Sequence, residues 1–256
     1  LKDLREASIE ESAPIEIVLR SDSTLRGHFP LEASLVEEVF GRSSGWILTP
    51  AFFEGGRVTV NDVHYVREGD ELIPAGQTPF AGDKAFGYRS SNLRDWVAEK
   101  FDGKDVPSCQ SISIAELRED DAAEKIATRL KDLSAHEVTG PDVLILNVFD
   151  PVDMETFVAA RALAPEVNLV YRTGASFVSA YLHIDKIPPL SPAFLFQDSN
   201  TASAEIGGLI IVGSNVPKTT AQRAYLLDHC KDYVTLLELD VSQLLASKDE
   251  NRELIA

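Results

Sequence analysis

Cysteine is scarce: only Cys109 and Cys230 occur in 256 residues. They stand far apart with no CxxC spacing, which argues against a disulfide framework and for free thiols in a reducing compartment. Histidine is equally thin. The five, at 28, 64, 136, 183 and 229, show neither an HExxH pattern nor paired ligand spacing, so no metal site is suggested. The longest apolar runs are far too short to span a bilayer. The opening Leu1-Lys2-Asp3-Leu4-Arg5-Glu6 is charged and lacks the apolar core of a signal peptide, so a cytoplasmic location is expected. Basic charge is also short, with 24 Lys and Arg against 41 Asp and Glu and a formal net charge of -17. That balance repels nucleic-acid phosphates and anionic membrane surfaces at long range, so neither is expected as a partner. No internal repeat or low-complexity segment occurs.

What is present is an ordinary globular core, 44% hydrophobic, in a chain long enough for one large domain or a domain and a half. The chemistry concentrates in one stretch, Arg20-Ser21-Asp22-Ser23-Thr24-Leu25-Arg26-Gly27-His28-Phe29-Pro30. It follows Ile15 to Leu19, a β-branched segment of strand type. It precedes Pro30 to Phe40, where apolar residues at 31, 35, 36, 39 and 40 have helical spacing. A loop leaving the carboxyl end of a strand for a helix N-terminus is where open α/β sheets bind ligands, and its free N–H groups favour an anion. Ser23 and Thr24 add hydroxyls. Gly27 allows close approach to the backbone, and Arg26 can grip a carboxylate or phosphate with two parallel bonds. In so acidic a chain a small anion needs a local positive cluster, and Arg20, Arg26, His28, Arg57, Lys84 and Arg89 all fall in the first third. For each, a solvated surface charge is the bland alternative.

Taken in order, the rest reads as alternating strand and helix. Leu1 to Ala7 has helical character and begins without Met or cap, as though cut within a domain. Trp46 to Thr49 is a strand, and its exit loop through Gly55-Gly56 sets Arg57 at the same sheet edge. Val58 to Pro74 forms a small β excursion with a hairpin tip at Arg67-Glu68-Gly69-Asp70. Ser91 or Asn92 caps a helix over 93–101, and Asp83, Lys84 and Arg89 form a second wall of the pocket. Further strands are expected at 108–114, 143–149 and 167–171, with helices at 117–133 and 152–163. Together these give a mainly parallel sheet flanked by helices. Asn147, Asp150 and Arg172-Thr173-Gly174 then lie at the ligand edge. The Pro-rich run Ile187 to Pro192 and the polar 197–204 place a boundary near 190–206, dividing a domain over 1–200 from the start of a second α/β domain over 206–256. There a strand at 207–212, the loop Gly213 to Thr220 with a helix starting at Pro217, a strand at 233–239 and a helix from 241 are expected. The loop is not a Walker loop, because the glycine before Lys218 is missing.

The string Asp22-Ser23-Thr24-Leu25-Arg26-Gly27 resembles the signature of the four-carbon acid sugar kinase family. Pro50-Ala51-Phe52, Gly56-Arg57-Val58-Thr59, Thr78-Pro79-Phe80-Ala81-Gly82-Asp83 and Val212-Gly213-Ser214 follow in that family's order. The resemblance covers nearly the whole chain and implies ATP-dependent phosphorylation of an acid such as threonate or erythronate, with ATP and Mg²⁺ as cofactors. It implies that the domain over 1–200 binds the sugar acid, with an aspartate-rich motif expected upstream, and that 206–256 opens the nucleotide domain, Ser214 touching the nucleotide. The chain alone is then expected to lack turnover. The substrate contacts expected are Asp22, Ser23, Thr24, Arg26, Gly27, His28, Arg57, Asp83 and Arg89, with Arg26 on the carboxylate and Asp22, Ser23, Thr24 and His28 on hydroxyls or loop shape. Lys84 departs from the family's pattern after Phe-Ala. The catalytic base is not placed, and a homo-oligomer is compatible. The rival reading is a module that binds a small carboxylate without catalysis.

Overall fold

The computed structural model describes residues 1–134, 142–191, 194, 208–214 and 216–241. Five strands make one parallel sheet: β1 (Val18–Arg20), β2 (Gly45–Thr49), β6 (Cys109–Ile112), β7 (Asp142–Leu146) and β8 (Leu169–Thr173), in the order β1-β8-β2-β7-β6. Every pairing in it is parallel, so all five carboxyl ends share one edge. Successive side chains of a strand point to opposite faces, and the central strands use both. Trp46, Leu48, Val143, Ile145 and Val170 enter one core, while Ile47, Leu144, Leu146, Leu169 and Tyr171 enter the other. The first core is closed by α2 (Leu31–Phe40) and α3 (Leu93–Lys100) through Ala33, Val36, Trp96 and Val97. The second is closed by α5 (Ala122–Ser134), α6 (Pro151–Ala162) and α7 (Ala175–Tyr181) through Ile126, Leu130, Phe157 and Phe177. The expected α/β class with a helix-flanked parallel sheet is therefore what forms. An additional helix, α1 (Lys2–Glu10), buries none of its side chains.

The β excursion is larger than one hairpin. Strands β3 (Arg57–Val60), β4 (Val63–Glu68) and β5 (Glu71–Pro74) form an antiparallel meander. Its second turn holds Gly69 and Asp70, as expected. Its first, at Asn61 and Asp62, was not legible, although both residues take the left-handed conformation (φ 50° and 63°) that a two-residue hairpin demands. The meander is fastened over the carboxyl edge of the sheet. Thr59 N donates to Val148 O at 2.9 Å. The Asp62 carboxylate accepts from Asn147 Nδ2 (2.8 Å), Ser111 Oγ (2.7 Å) and Arg94 Nε (2.6 Å). Asn147, expected at the ligand edge, is buried and committed to this joint, its Oδ1 also accepting from Asp62 N at 2.7 Å.

Three expectations need correction. The helix expected over 117–133 is two: α4 (Ile114–Leu117) opens on a capping box between Ser113 and Glu116, and α5 begins afresh at Ala122. The acidic run 119–121 suits a new helix start better than a helix interior, because carboxylates complement the dipole there. Asp150 is likewise the cap of α6, in a box with Asp153. The strands expected at 207–212 and 233–239 do not form over 208–212 and 233–239. Most of the boundary region 190–206, and the helix expected after residue 241, lie outside the described residues. The chain divides into compact units Leu1–Pro188 and Pro189–Ala256, and both cores belong to the first. In the second, the helix expected to start at Pro217 is α8 (Pro217–Cys230). Among the described residues no helix is long and apolar enough to cross a membrane.

Candidate functional site

The loop between β1 and α2 is organised by one carboxylate. Asp22 accepts from the backbone N–H of Thr24 (3.2 Å) and of Arg26 (3.3 Å), from the Thr24 hydroxyl, and from Arg26 Nε (2.9 Å) and Nη2 (3.2 Å). Burial pushes its pKa up, but the bonds from Arg26 and Thr24 outweigh that and hold it below the usual carboxylate range. Leu25 adopts φ 67° and is fully buried, so the loop anchors itself by driving an apolar side chain into the core at the cost of an unfavourable backbone angle. Gly27 at φ 123° takes an angle that side chains resist, and a Cβ added there would lie 3.9 Å from Arg172 Nη2 and 4.0 Å from Glu32 Oε1.

Two buried side chains from elsewhere grip the carbonyls of this loop. His64, on β4, places Nε2 2.8 Å from Ser23 O. A carbonyl only accepts, so Nε2 carries the proton, and Nδ1 accepts from the Thr59 hydroxyl at 2.9 Å. Burial, with Arg172 and Arg57 nearby, pushes the imidazole pKa down to about 4, so it is neutral at pH 7. Arg172, at the end of β8, donates from Nη2 to Arg26 O at 3.1 Å. Its guanidinium, 2% exposed, lies 4.8 Å above the Trp96 ring and 5.5 Å from Phe29. Its Nε and Nη1 have no hydrogen-bond acceptor; the aromatic faces stand in their place. Burial lowers its pKa to about 10.

Arg57, the first residue of β3, meets Arg26 across Phe80. Their guanidinium carbons lie 5.7 Å and 5.2 Å from that ring, and Arg57 also lies 5.9 Å from the Phe52 ring. Arg57 Nη1 donates to Gly55 O, while Nε is buried with no acceptor. Burial depresses its pKa, opposed by the nearby Asp22. Asp83 closes the group, its Oδ2 3.5 Å from Arg26 Nη1, and backbone donors from Phe86 and Ala85 keep its carboxyl ionised. The guanidinia of Arg26, Arg57 and Arg172 thus face the carboxylates of Asp22 and Asp83, with Glu32 acting on Arg172 and Glu68 on Arg57 from farther off.

Of the residues expected from sequence, Asp22, Ser23, Thr24, Arg26, Gly27, Arg57 and Asp83 come together here. His28 is exposed at the margin, edge-on to Phe86 at 4.8 Å. Arg89 is not brought in: its side chain is 92% exposed and sits 4.0 Å from Glu99. Lys84 is also exposed. Ser214 belongs to the other unit, where its hydroxyl accepts from Thr219 Oγ1 at 3.1 Å before α8. The carboxylate role expected of Arg26 meets a difficulty, since its Nε and Nη2 are engaged by Asp22 and its Nη1 lies 3.5 Å from Asp83, whereas Arg57 forms no ion pair with a carboxylate among the described residues. His64 and Phe80 were not legible as site residues, whereas Arg172 was expected at the ligand edge. Only the turn at 61–62, which pairs Thr59 with His64 across two strands, would have revealed the histidine.

A parallel sheet with an arginine-rich loop cluster at its carboxyl edge is a ligand-binding α/β architecture. The family described as the sugar-binding N-terminal domain matches residues 1–181, and the chain belongs to that family. A Salmonella typhimurium LT2 protein solved under a provisional tRNA-synthase name superposes with a TM-score of 0.54 at 19% identity, over 99% of this chain and 55% of that one. A Haemophilus influenzae protein of the DUF1537 family gives 0.51 at 18%, over 97% and 55%. A Bordetella bronchiseptica protein of the same family, solved as a domain-swapped dimer with bound citrate, gives 0.49 at 21%, over 70% and 39%. At such identities the likeness is one of fold. The chain thus spans about half the length of the first two structures. No curated protein matches it.

Proposed function

We propose that the cluster of Arg26, Arg57, Asp22 and Asp83 binds a four-carbon sugar acid such as threonate or erythronate, and that a longer protein containing this chain phosphorylates it with ATP. The observation that carries the reading is the pair of guanidinia facing Phe80, of which the half-buried Arg57 forms no ion pair with a carboxylate among the described residues. A partly desolvated guanidinium without an anion costs free energy that an incoming carboxylate would restore. Arg57 is accordingly the carboxylate contact. Asp22 and Asp83 hold Arg26 in place, and the Ser23 and His28 side chains at the loop's outer side are available to sugar hydroxyls. Phosphoryl transfer depends on holding the acceptor hydroxyl in line with the phosphate, which is positioning work of the kind this rigid loop can do.

ATP and Mg²⁺ rest on the family resemblance. Among the described residues no group of three or more His, Cys, Asp or Glu could hold a metal ion. Around Ser214 there is one hydroxyl pair before a helix, which is less than a phosphate cradle needs, so no step is assigned to either group here. Calorimetric titration of erythronate and threonate into the chain tests the binding reading. Saturable binding of one of them, lost in Arg57→Ala, is expected, and no heat with either acid rejects it. Turnover with ATP is to be sought in the longer protein, and binding without turnover there would favour a non-catalytic carboxylate-binding module.

A further inference from the structure

His64 is a buried titratable group to which the binding reading assigns no contact. It is 0% exposed, and both ring nitrogens are engaged, so it has no free atom to offer a ligand or a proton acceptor. It nevertheless joins two parts of the site that are distant in sequence. Through Nε2 it holds Ser23 O on the β1–α2 loop, one residue from Asp22. Through its strand it is tied to Thr59, two residues from Arg57, by the β3–β4 pairing and by the Thr59 hydroxyl. The meander carrying Arg57 is otherwise held at the sheet edge by Val148, Asn147 and Ser111, at Ser91 and Leu93, and by the paired backbones of Phe52 and Arg57. Those bonds fix Arg57 on its own side and leave the approach of the Asp22–Arg26 loop to be set by the bonds that the loop itself receives.

We infer that His64 is a positioning residue that sets the spacing of Arg57 against the Asp22–Arg26 loop, and so the width of the sugar-acid site. The inference rests on the binding reading above only for its consequence for affinity; the tie between loop and meander stands independently. The Thr59 hydroxyl contributes by fixing the tautomer. It donates to Nδ1, which leaves Nε2–H as the donor that Ser23 requires. Arg172 is the matching grip at Arg26 O, from the opposite side of the sequence.

The test uses the full 256-residue chain in three variants: His64→Phe, which keeps bulk and removes both bonds; His64→Gln, which can restore the donor to Ser23; and Thr59→Val, which removes only the tautomer control. Amide hydrogen exchange of residues 23–27 is measured beside that of Ile47 and Leu144 in the sheet, and erythronate and threonate binding is measured by calorimetry. In His64→Phe, exchange at 23–27 should speed up by about tenfold or more with the sheet amides unchanged, and affinity should fall by at least about tenfold. Gln should recover most of both, and Thr59→Val should fall between. If His64→Phe fails to fold, Thr59→Val and Gln carry the comparison. Unchanged loop exchange in a folded His64→Phe overturns the inference, as does a uniform loosening of loop and sheet that Gln does not relieve. If wild type binds neither acid, the binding reading fails and the exchange measurement alone decides whether His64 ties the loop.

Discussion

At the scale of single residues, the cluster separates groups that hold the site from groups that remain free to bind. Arg57 is the free one, and truncating it to Ala should cost about 1.5 to 3 kcal/mol of sugar-acid binding, or roughly 10- to 100-fold in affinity by calorimetry. Lys should rescue only part, since it keeps the charge and loses the planar fork. Arg26 is engaged by Asp22 at 2.9 Å, with both side chains about a third exposed, so Arg26→Ala should act mainly on stability, by about 1 kcal/mol and a few degrees in Tm. An Arg26→Ala protein with unchanged Tm and strongly weakened binding would return the carboxylate role to Arg26. His64 makes stability depend on pH. Its folded pKa, about 4, lies below the ordinary histidine value of 6.5, so the unfolded chain takes up the proton first as pH falls. Stability from this group is complete above about pH 6.5 and is lost between there and about pH 4, amounting to about 2 kcal/mol from pH 7 to pH 5. Denaturant titrations at the two pH values should show that loss in wild type and a flatter profile in His64→Gln.

At the scale of elements, the site depends on a joint and on a close packing of two strand ends. The joint is Asp62, whose carboxylate gathers Asn147, Ser111 and Arg94 and so fixes the turn of the β3–β4 hairpin to β6 and to the residue following β7. Asp62→Ala leaves those donors without their acceptor. It should cost about 2 to 3 kcal/mol in urea unfolding and should also weaken sugar-acid binding, because Arg57 rides on the same hairpin. The close packing is at Gly174, just past β8, where an added Cβ would lie 2.2 Å from Ala51 O and 2.7 Å from Pro50 O. Neither contact can be relieved by rotating a side chain, so Gly174→Ala must part the loops that follow β2 and β8. A destabilisation of about 1 to 3 kcal/mol is expected, and wild-type stability in that variant would show that the two loops yield freely.

At the scale of the whole molecule, both hydrophobic cores and all residues of the cluster lie within Leu1–Pro188. A chain ending at Pro188 should therefore keep the Tm of the 256-residue chain within a few degrees and bind the same sugar acid with the same affinity. Loss of binding with retained Tm would mean that the second unit contributes to the site.

The sequence by itself determined the class of fold and pointed to the loop on which the candidate site is built. Apolar runs at strand and helix spacing, set by the geometry of the two backbones, announced the parallel sheet and its helices. A polar loop between Leu19 and Leu31 announced the ligand edge, because a strand end feeding a helix N-terminus exposes donors whatever follows. What only the tertiary structure decided was which side chains share that edge and which are already occupied. Arg89 looked as eligible as Arg57, yet one ends in solvent and the other against Phe80, since a residue's neighbours depend on where its element docks. Arg26 carried the motif, but a carboxylate four residues back engages its Nε and Nη2. His64 read as one more residue of a β excursion, and Arg172 as a residue of the ligand edge with an ordinary turn as the alternative. Their roles exist only because two strands from separate parts of the chain bring them under the carbonyls of Ser23 and Arg26, and local periodicity holds no record of contacts made across 41 and 146 residues.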